Sequence, residues 1–293
     1  MDNLDSIQER LRELQKRPNH DLGQNFLIND QIVEQIVTAG FAPFTPATLA
    51  LTGKEAVDAR QRVLEIGPGL GVLTGAILDK LPKGGQLLAI EKDHGLAANL
   101  DRYLHHPRQL KIIESDATTF DRSYHFKDGQ YLVMANLPFN ISSFIVNALL
   151  TQAPRPARLI LMLQQEVADR LLAPAGHSSR GLLSVITEFY TAGHLVCPVP
   201  RANFYPVPKV DAAVICLDVD QPIAASDQAL FKLVKGGFAQ RRKNLKNALA
   251  ASLGLSKEEI GLLLVKANLE PTARAQELTL KQWQKLAKVL KIG

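Results

Sequence analysis

The sequence predicts an α/β protein: a doubly wound parallel sheet followed by a small all-helical domain. Three observations predict it. From Arg62 onward, short apolar runs alternate with segments long enough for crossover helices. A glycine-rich turn closes the first of these runs. After Asp220 the pattern becomes helical only and the charge becomes basic.

Met1 to Lys16 is charged throughout, with Leu4, Ile7, Leu11 and Leu14 at helical spacing. This predicts an amphipathic helix and not an export signal, which needs an apolar core. Whether the extension 1–20 is flexible stays open. Asn29-Asp30 is placed to cap a helix whose apolar face is Ile32, Val33, Ile36 and Val37. The stretch 41–60, with Pro43 and Pro46, gives no assignment. Strands are expected at Arg62–Ile66, Gln86–Ile90, Leu110–Ile113, Tyr131–Met134 and Arg158–Leu163, with helices at Leu73–Leu81 and Gly95–Leu104 between them. Leu195–Val199 and Ala212–Val219 read as a hairpin added at the sheet's edge. In the last part, Ser256-x-x-Glu259 and Thr279-x-x-Gln282 are capping-box patterns. Leu280, Trp283, Leu286, Val289 and Leu290 share one helical face, which makes Trp283 a core residue. The domains expected are 1–220 and 221–293.

Composition narrows the function classes. Of 293 residues, 46% are hydrophobic and 22% charged, which is the balance of a globular chain. The longest uncharged stretch, Gly129 to Pro154, holds Asn136, Pro138, Asn140, Asn147 and Gln152, so no membrane span is expected. A cytoplasmic protein follows. Cys197 and Cys216 form no CxxC pair and read as buried thiols; the seven histidines join them in no ligand set, so no metal is expected. His105-His106 reads as exposed loop. Net charge is +5, but residues 231–293 carry 13 Lys+Arg against 4 Glu and no Asp, leaving a net of −4 for the rest. A basic tail on an acidic body points to a polyanionic partner. Arg241, Arg242, Lys243 and Lys246 form a cluster suited to phosphates.

The stretch from Val63 through Gly67-Pro68-Gly69-Leu70-Gly71 is a strand running into a tight turn. Its spacing is GxGxG, not the GxGxxG of dinucleotide enzymes. Glu91, 24 positions after Gly67, ends the second strand, where a carboxylate can accept from ribose hydroxyls. Asp116 ends the third, where it can accept from an adenine amine. These three strand ends would face one crevice and favour an adenosine-containing cofactor. The turn has no Lys for a P-loop, so NAD and S-adenosyl-L-methionine remain.

Asn136-Leu137-Pro138-Phe139 at the end of the fourth strand separates these two. The N6 amine of adenine is a poor nucleophile because its lone pair is delocalised into the ring. The Asn136 side-chain carbonyl and the Leu137 backbone carbonyl can bind both N6 hydrogens and localise that pair. Pro138 stiffens the turn and offers no competing N–H. Phe139 can stack on the base. No general base is needed before transfer. A target base must leave its stack to reach such a pocket, so an RNA loop or flipped base is expected.

With these residues in view, the chain resembles the ribosomal RNA adenine N6,N6-dimethyltransferases of the KsgA family, from about Leu22 to Val289. Gly23-Gln24-Asn25-Phe26-Leu27 is similar to the family's N-terminal cofactor loop. Met162 to Val167, Phe204 to Asp211, Gln240 to Leu245 and Ala273 to Leu278 match further motifs. The resemblance implies a Rossmann-like class I S-adenosylmethionine-dependent methyltransferase domain with a helical C-terminal domain. It implies cofactor contacts at Asn25, Leu27, Gly67, Glu91, Asp116 and Asn136, to which the turn adds Gly69. It also implies that Phe204 packs on the target base opposite Phe139. The implied activity is N6,N6-dimethylation of two adjacent adenosines in the 3′-terminal hairpin loop of small-subunit (16S) rRNA, four methyl transfers on an immature small ribosomal subunit, by a monomer. The chain departs from the family at Phe139, where Tyr is usual, at His20-Asp21, where basic residues are common, and at Arg180-Gly181-Leu182-Leu183-Ser184, where the family reads Tyr-Gly-Arg-Leu-Ser. Three rivals share parts of the pattern. A nicotinamide dehydrogenase has no use for Asn136 to Phe139. A ribosome-assembly or transcription factor would keep the fold without catalysis. Methylation of large-subunit RNA or of DNA would use the same site.

Overall fold

The computed structural model describes residues 3–19, 21–44, 61–104, 107–127, 131–240 and 242–291. The chain divides into two compact units: Met1–Ala168 with Ala192–Asp220, and Asp169–Thr191 with Gln221–Gly293. The cut at Asp220 falls where the sequence changes character. The segment Asp169–Thr191, expected within the domain 1–220, packs instead with the helices that follow. Val185 joins the apolar cluster of Leu230, Leu233, Leu249 and Trp283. The Tyr190 hydroxyl donates to Asp227 at 2.7 Å.

In the first unit, α1 (Asn3–Glu13), β1 (Phe26–Leu27) and α2 (Asp30–Phe41) precede the main sheet. There follow β2 (Arg62–Ile66), α3 (Val72–Lys80), β3 (Gln86–Glu91), α4 (His94–Ala97), β4 (Leu110–Glu114), β5 (Leu132–Asn136), α5 (Ser142–Thr151) and β6 (Arg158–Gln164). Along the chain α6 (Gln165–Leu171) then runs across the boundary between the units and α7 (Leu182–Tyr190) belongs to the second, before β7 (Thr191–Val199), β8 (Phe204–Tyr205) and β9 (Ala212–Val219). The seven-stranded sheet has the order β4-β3-β2-β5-β6-β9-β7. Its first five strands are parallel, and β9 runs antiparallel to β6. The five expected strands and the two edge strands are therefore present. The chain winds outward from β2 in one direction and from β5 in the other, which opens a crevice at the carboxyl ends of that central pair.

Strand alternation builds the core. Val63, Leu87, Leu132, Met134, Ile160 and Met162 cluster with Ile32, Ile36, Val37 of α2 and Leu73, Ile77 of α3. Asn29 caps α2 as expected, its Oδ1 accepting from the amides of Gln31 at 2.9 Å and Ile32 at 3.2 Å. Both cysteines are buried and free. A buried Arg158–Asp218 pair ties β6 to β9, with Nε–Oδ1 2.5 Å and Nη2–Oδ2 3.0 Å. The same guanidinium donates to the carbonyls of Ala42 at 2.7 Å and Pro43 at 3.0 Å, which closes the carboxyl end of α2.

One expectation changes. The helix expected at Gly95–Leu104 is a single turn, α4, followed by a 3-10 turn at Leu100–Tyr103. Asn99 interrupts it by donating its side-chain amide to Gly95 O at 2.8 Å, in competition with the helical ladder. The N-terminal extension is docked through residue 16: Ile7 and Leu11 of α1 are buried against Phe26, Leu70 and Leu96. Most of the unassigned 41–60 stretch, and His105-His106, lie outside the described residues.

The second unit adds α8 (Ala225–Phe238), α9 (Leu245–Leu253), α10 (Lys257–Lys266) and α11 (Leu280–Val289). Both capping boxes form. Glu259 N donates to Ser256 Oγ at 3.1 Å, and Gln282 N to Thr279 Oγ1 at 3.3 Å, with each partner reaching back. Trp283 is wholly buried in this unit's core. No described helix is long and apolar enough to cross a membrane.

Candidate active site

A cavity of about 270 Å³ opens at the carboxyl ends of β2, β3 and β5. Its walls bring together Asn25, Leu27, Gly67, Gly69, Glu91, Asp116, Asn136, Leu137, Pro138 and Phe139 from stretches far apart in the chain. Each wall has a local cause. The turn after β2 carries Gly67, Gly69 and Gly71 at φ +69°, +58° and +84°, values that side chains with a Cβ rarely adopt. Gly67 is anchored by its N–H to Ile90 O at 2.9 Å. A Cβ there would meet only Asn136 O, at 3.8 Å, so the main chain borders open space that a ligand can fill.

Glu91 ends β3 with both oxygens engaged: Oε2 accepts from Gly69 N at 3.0 Å and Oε1 from Asp93 N at 2.9 Å. Burial pushes its carboxyl up, against these amides. Each oxygen keeps a lone pair for a further donor. Asp116 follows β4. Its Oδ2 pairs with Lys92 Nζ at 2.8 Å, and its Oδ1 accepts from Thr118 N at 2.8 Å and Oγ1 at 2.7 Å. The Lys92 ammonium, followed by Thr118, holds its carboxyl down to about 2. It is a fixed acceptor that exposed, movable Lys92 partly covers.

Asn136 ends β5. Its Nδ2 donates to Asn25 O at 3.1 Å, which sets the amide so that Oδ1 is the free acceptor. Leu137 N donates to Met162 O at 3.1 Å and Phe139 O accepts from Ser142 Oγ at 3.2 Å, which fix the turn into α5. The loop Asp21–Asn25 comes down onto this turn. Gly23 lies against Pro138, Phe139 and Asn140, all within 3.7 Å of where its Cβ would stand.

Phe204 does not reach the cavity. Paired with Leu27 across the β1–β8 ladder, it is 1% exposed within the core of α2 and the sheet. In this position its ring belongs to the same apolar cluster as Leu27. In the second unit Arg242 and Lys243 are exposed, and Lys246 is half-buried in the first turn of α9; Arg241 lies outside the described residues. Among the described residues no group of His, Cys, Asp and Glu could hold a metal.

Among the wall residues that sequence reasoning passed over are Glu65, Lys92 and Thr118. Glu65 had a signal, a lone charge inside the apolar run Val63-Leu64-Glu65-Ile66. It is 1% exposed and neither carboxyl oxygen has a hydrogen-bond partner.

The sheet order, the cavity at its centre and the Asn-Leu-Pro-Phe turn on its rim define a Rossmann-like methyltransferase domain. A dimethyladenosine transferase from Plasmodium falciparum shares the fold over 91% of this chain and 97% of its own, with TM-score 0.70 and 22% identity. The 23S rRNA methyltransferase ErmE shares it over 91% and 100%, with TM-score 0.65 and 23% identity. The family model for ribosomal RNA adenine dimethylase matches residues 15–291, and the chain belongs to that family. It is 40% identical over 278 residues to the ribosomal RNA small subunit methyltransferase A of Syntrophotalea carbinolica, covering 94% of this chain and 97% of that one. The protein of the same name from Desulfitobacterium hafniense is 33% identical over 286 residues, 97% and 96% of the two chains. The chain is thus an rRNA adenine dimethyltransferase with S-adenosyl-L-methionine as methyl donor.

Proposed function

We propose that the cavity holds S-adenosyl-L-methionine between the glycine turn and Asn136, and that the enzyme dimethylates two adjacent adenosines in the 3′-terminal hairpin loop of small-subunit rRNA. The observation that carries this reading is Asn136, whose amide is turned by Asn25 so that Oδ1 is left to accept. Glu91 accepts from the ribose hydroxyls, Asp116 from the adenine amine in place of Lys92, and Asn25, Leu27, Gly67 and Gly69 line the remainder. When bound, the donor supplies an electrophilic methyl on a sulfonium. Asn136 Oδ1 and the Leu137 carbonyl each hold an N6 hydrogen of the target base and localise the nitrogen lone pair. Phe139 stacks on that base, a contact of ~1–3 kcal/mol. Position and alignment supply the rest of the rate. Small-subunit specificity rests on the names of the relatives at 33–40% identity. Arg241, Arg242, Lys243 and Lys246 contact RNA phosphates, and the enzyme acts as a cytoplasmic monomer on immature small ribosomal subunits.

The test is incubation of the purified protein with labelled S-adenosylmethionine and unmodified small-subunit particles, followed by nucleoside mass spectrometry. The expected product is N6,N6-dimethyladenosine at two neighbouring positions. Monomethyl product alone, or label in large-subunit RNA, contradicts the reading.

A further inference from the structure

The N-terminal helix touches both walls of the cavity. Its apolar face buries Ile7 and Leu11 against Leu70, Leu96 and Phe26. Arg10 Nη1 donates to Leu70 O at 2.6 Å, in the glycine turn itself. The same guanidinium lies 4.7 Å from the ring centroid of Tyr103, whose hydroxyl donates to Glu13 at 2.7 Å. Just past the helix, Lys16 pairs with Asp93. The Lys16 stem crosses Gly95 so closely that a Cβ there would stand 2.2 Å from its Cε. Asp93 in turn donates its backbone N–H to Glu91. From Lys16 the chain runs through Gln24, 3.5 Å from Asp93 Oδ2, to Asn25 and Leu27 in the cavity wall.

These groups form a chain of charges around one buried carboxyl. Glu91 must accept hydrogen bonds to be useful, and both burial and the nearby Asp93 charge oppose its ionisation. The groups that face it are Glu65 on β2, Lys92 and Asp93 on its own loop, Asp116 after β4 and, through Asp93, Lys16 after α1. Of these, Lys16 alone brings a charge to Asp93 from outside the loop.

We infer that α1 and the residues just after it brace the cofactor cavity, with Arg10 fixing the glycine turn and Lys16, by cancelling the charge of Asp93, keeping Glu91 able to accept from the cofactor's ribose. Arg10 and Lys16 are positioning residues. They govern cofactor affinity and leave the methyl-transfer step untouched. The inference rests on the reading that this cavity takes the cofactor.

Calorimetry with S-adenosylhomocysteine from pH 5 to 9 tests it. Lys16→Met is expected to move the acid limb of the binding profile to higher pH and to weaken binding along that limb by up to about tenfold, the effect of a one-unit displacement in a single group. With saturating S-adenosylmethionine, kcat stays within about twofold. Lys16→Arg restores affinity. So does Asp93→Asn in the Lys16→Met background, because Asn can still cap α4 while the charge is gone. A purely structural contact would not be rescued by that second change. Unaltered affinity in Lys16→Met, or failure of Asp93→Asn to rescue it, overturns the brace while wild-type binding leaves the cavity assignment standing. Failure of the wild type to bind S-adenosylhomocysteine overturns both.

Discussion

Glu65 is the residue whose state is most constrained by its surroundings. A carboxylate with neither oxygen paired, in the wall of an apolar strand, is costly to ionise. Burial pushes its carboxyl up to about 8 from an ordinary 4.5. Between those limits the folded chain holds a proton that the unfolded chain has lost. The stability this contributes is full at the acid end and declines as pH rises through the folded value, by up to about 1.4 kcal/mol per pH unit. Glu65→Gln removes this dependence. Denaturant unfolding of both proteins from pH 5 to 8 should give the variant the flatter profile, and parallel profiles would show that Glu65 is ionised throughout. Asn136 acts differently. Its loss removes an acceptor that strengthens as the N6 nitrogen changes shape. Asn136→Ala should lower kcat by roughly 10²–10³, as removal of one aimed polar group does elsewhere, with RNA affinity within about twofold. An equal loss of RNA affinity would assign Asn136 to binding alone. The motif made Asn136 legible, whereas the Lys92 cover on Asp116 was not, because it depends on the approach of β3 and β4 ends that only the fold supplies.

At the scale of elements, local chemistry marked what local chemistry decides. Asn29, Ser256 and Thr279 cap the helices that the sequence assigns to them, because a cap is settled within four residues. The break after α4 was hidden in Asn99, whose side chain competes with the backbone only once Gly95 is close. Phe204 illustrates the larger limit: its ladder partner Leu27 is 177 positions away, and that pairing turns the ring into the core. Arg158 is a further long-range device, binding Asp218 and the end of α2 together. Arg158→Met should strand Asp218 as a buried unpaired charge and destabilise the protein by about 3–5 kcal/mol in urea unfolding. Adding Asp218→Leu should recover most of that loss, and no recovery would mean that the bonds to α2 carry the effect.

For the whole molecule, the sequence divided the chain by charge and periodicity, which located the change after Asp220. It did not place Asp169–Thr191 with the helical unit, because an amphipathic helix such as α7 can bury its face against a sheet or against other helices. The basic cluster belongs to this unit. Replacing Arg242, Lys243 and Lys246 with Ala should weaken RNA binding. It should also reduce the slope of log affinity against log salt by about 0.7 for each single-strand phosphate that is no longer neutralised. S-adenosylhomocysteine affinity should be unchanged. An unchanged salt slope would remove these residues from the RNA interface.

The most direct test is a structure of the enzyme with S-adenosylhomocysteine and an RNA hairpin bearing the target adenosines. The target N6 should lie within hydrogen-bond distance of both Asn136 Oδ1 and the Leu137 carbonyl, on the side facing the cofactor sulfur, with Phe139 against the base. A base seated elsewhere, or Asn136 still turned from it while the cofactor fills the cavity, would contradict the mechanism.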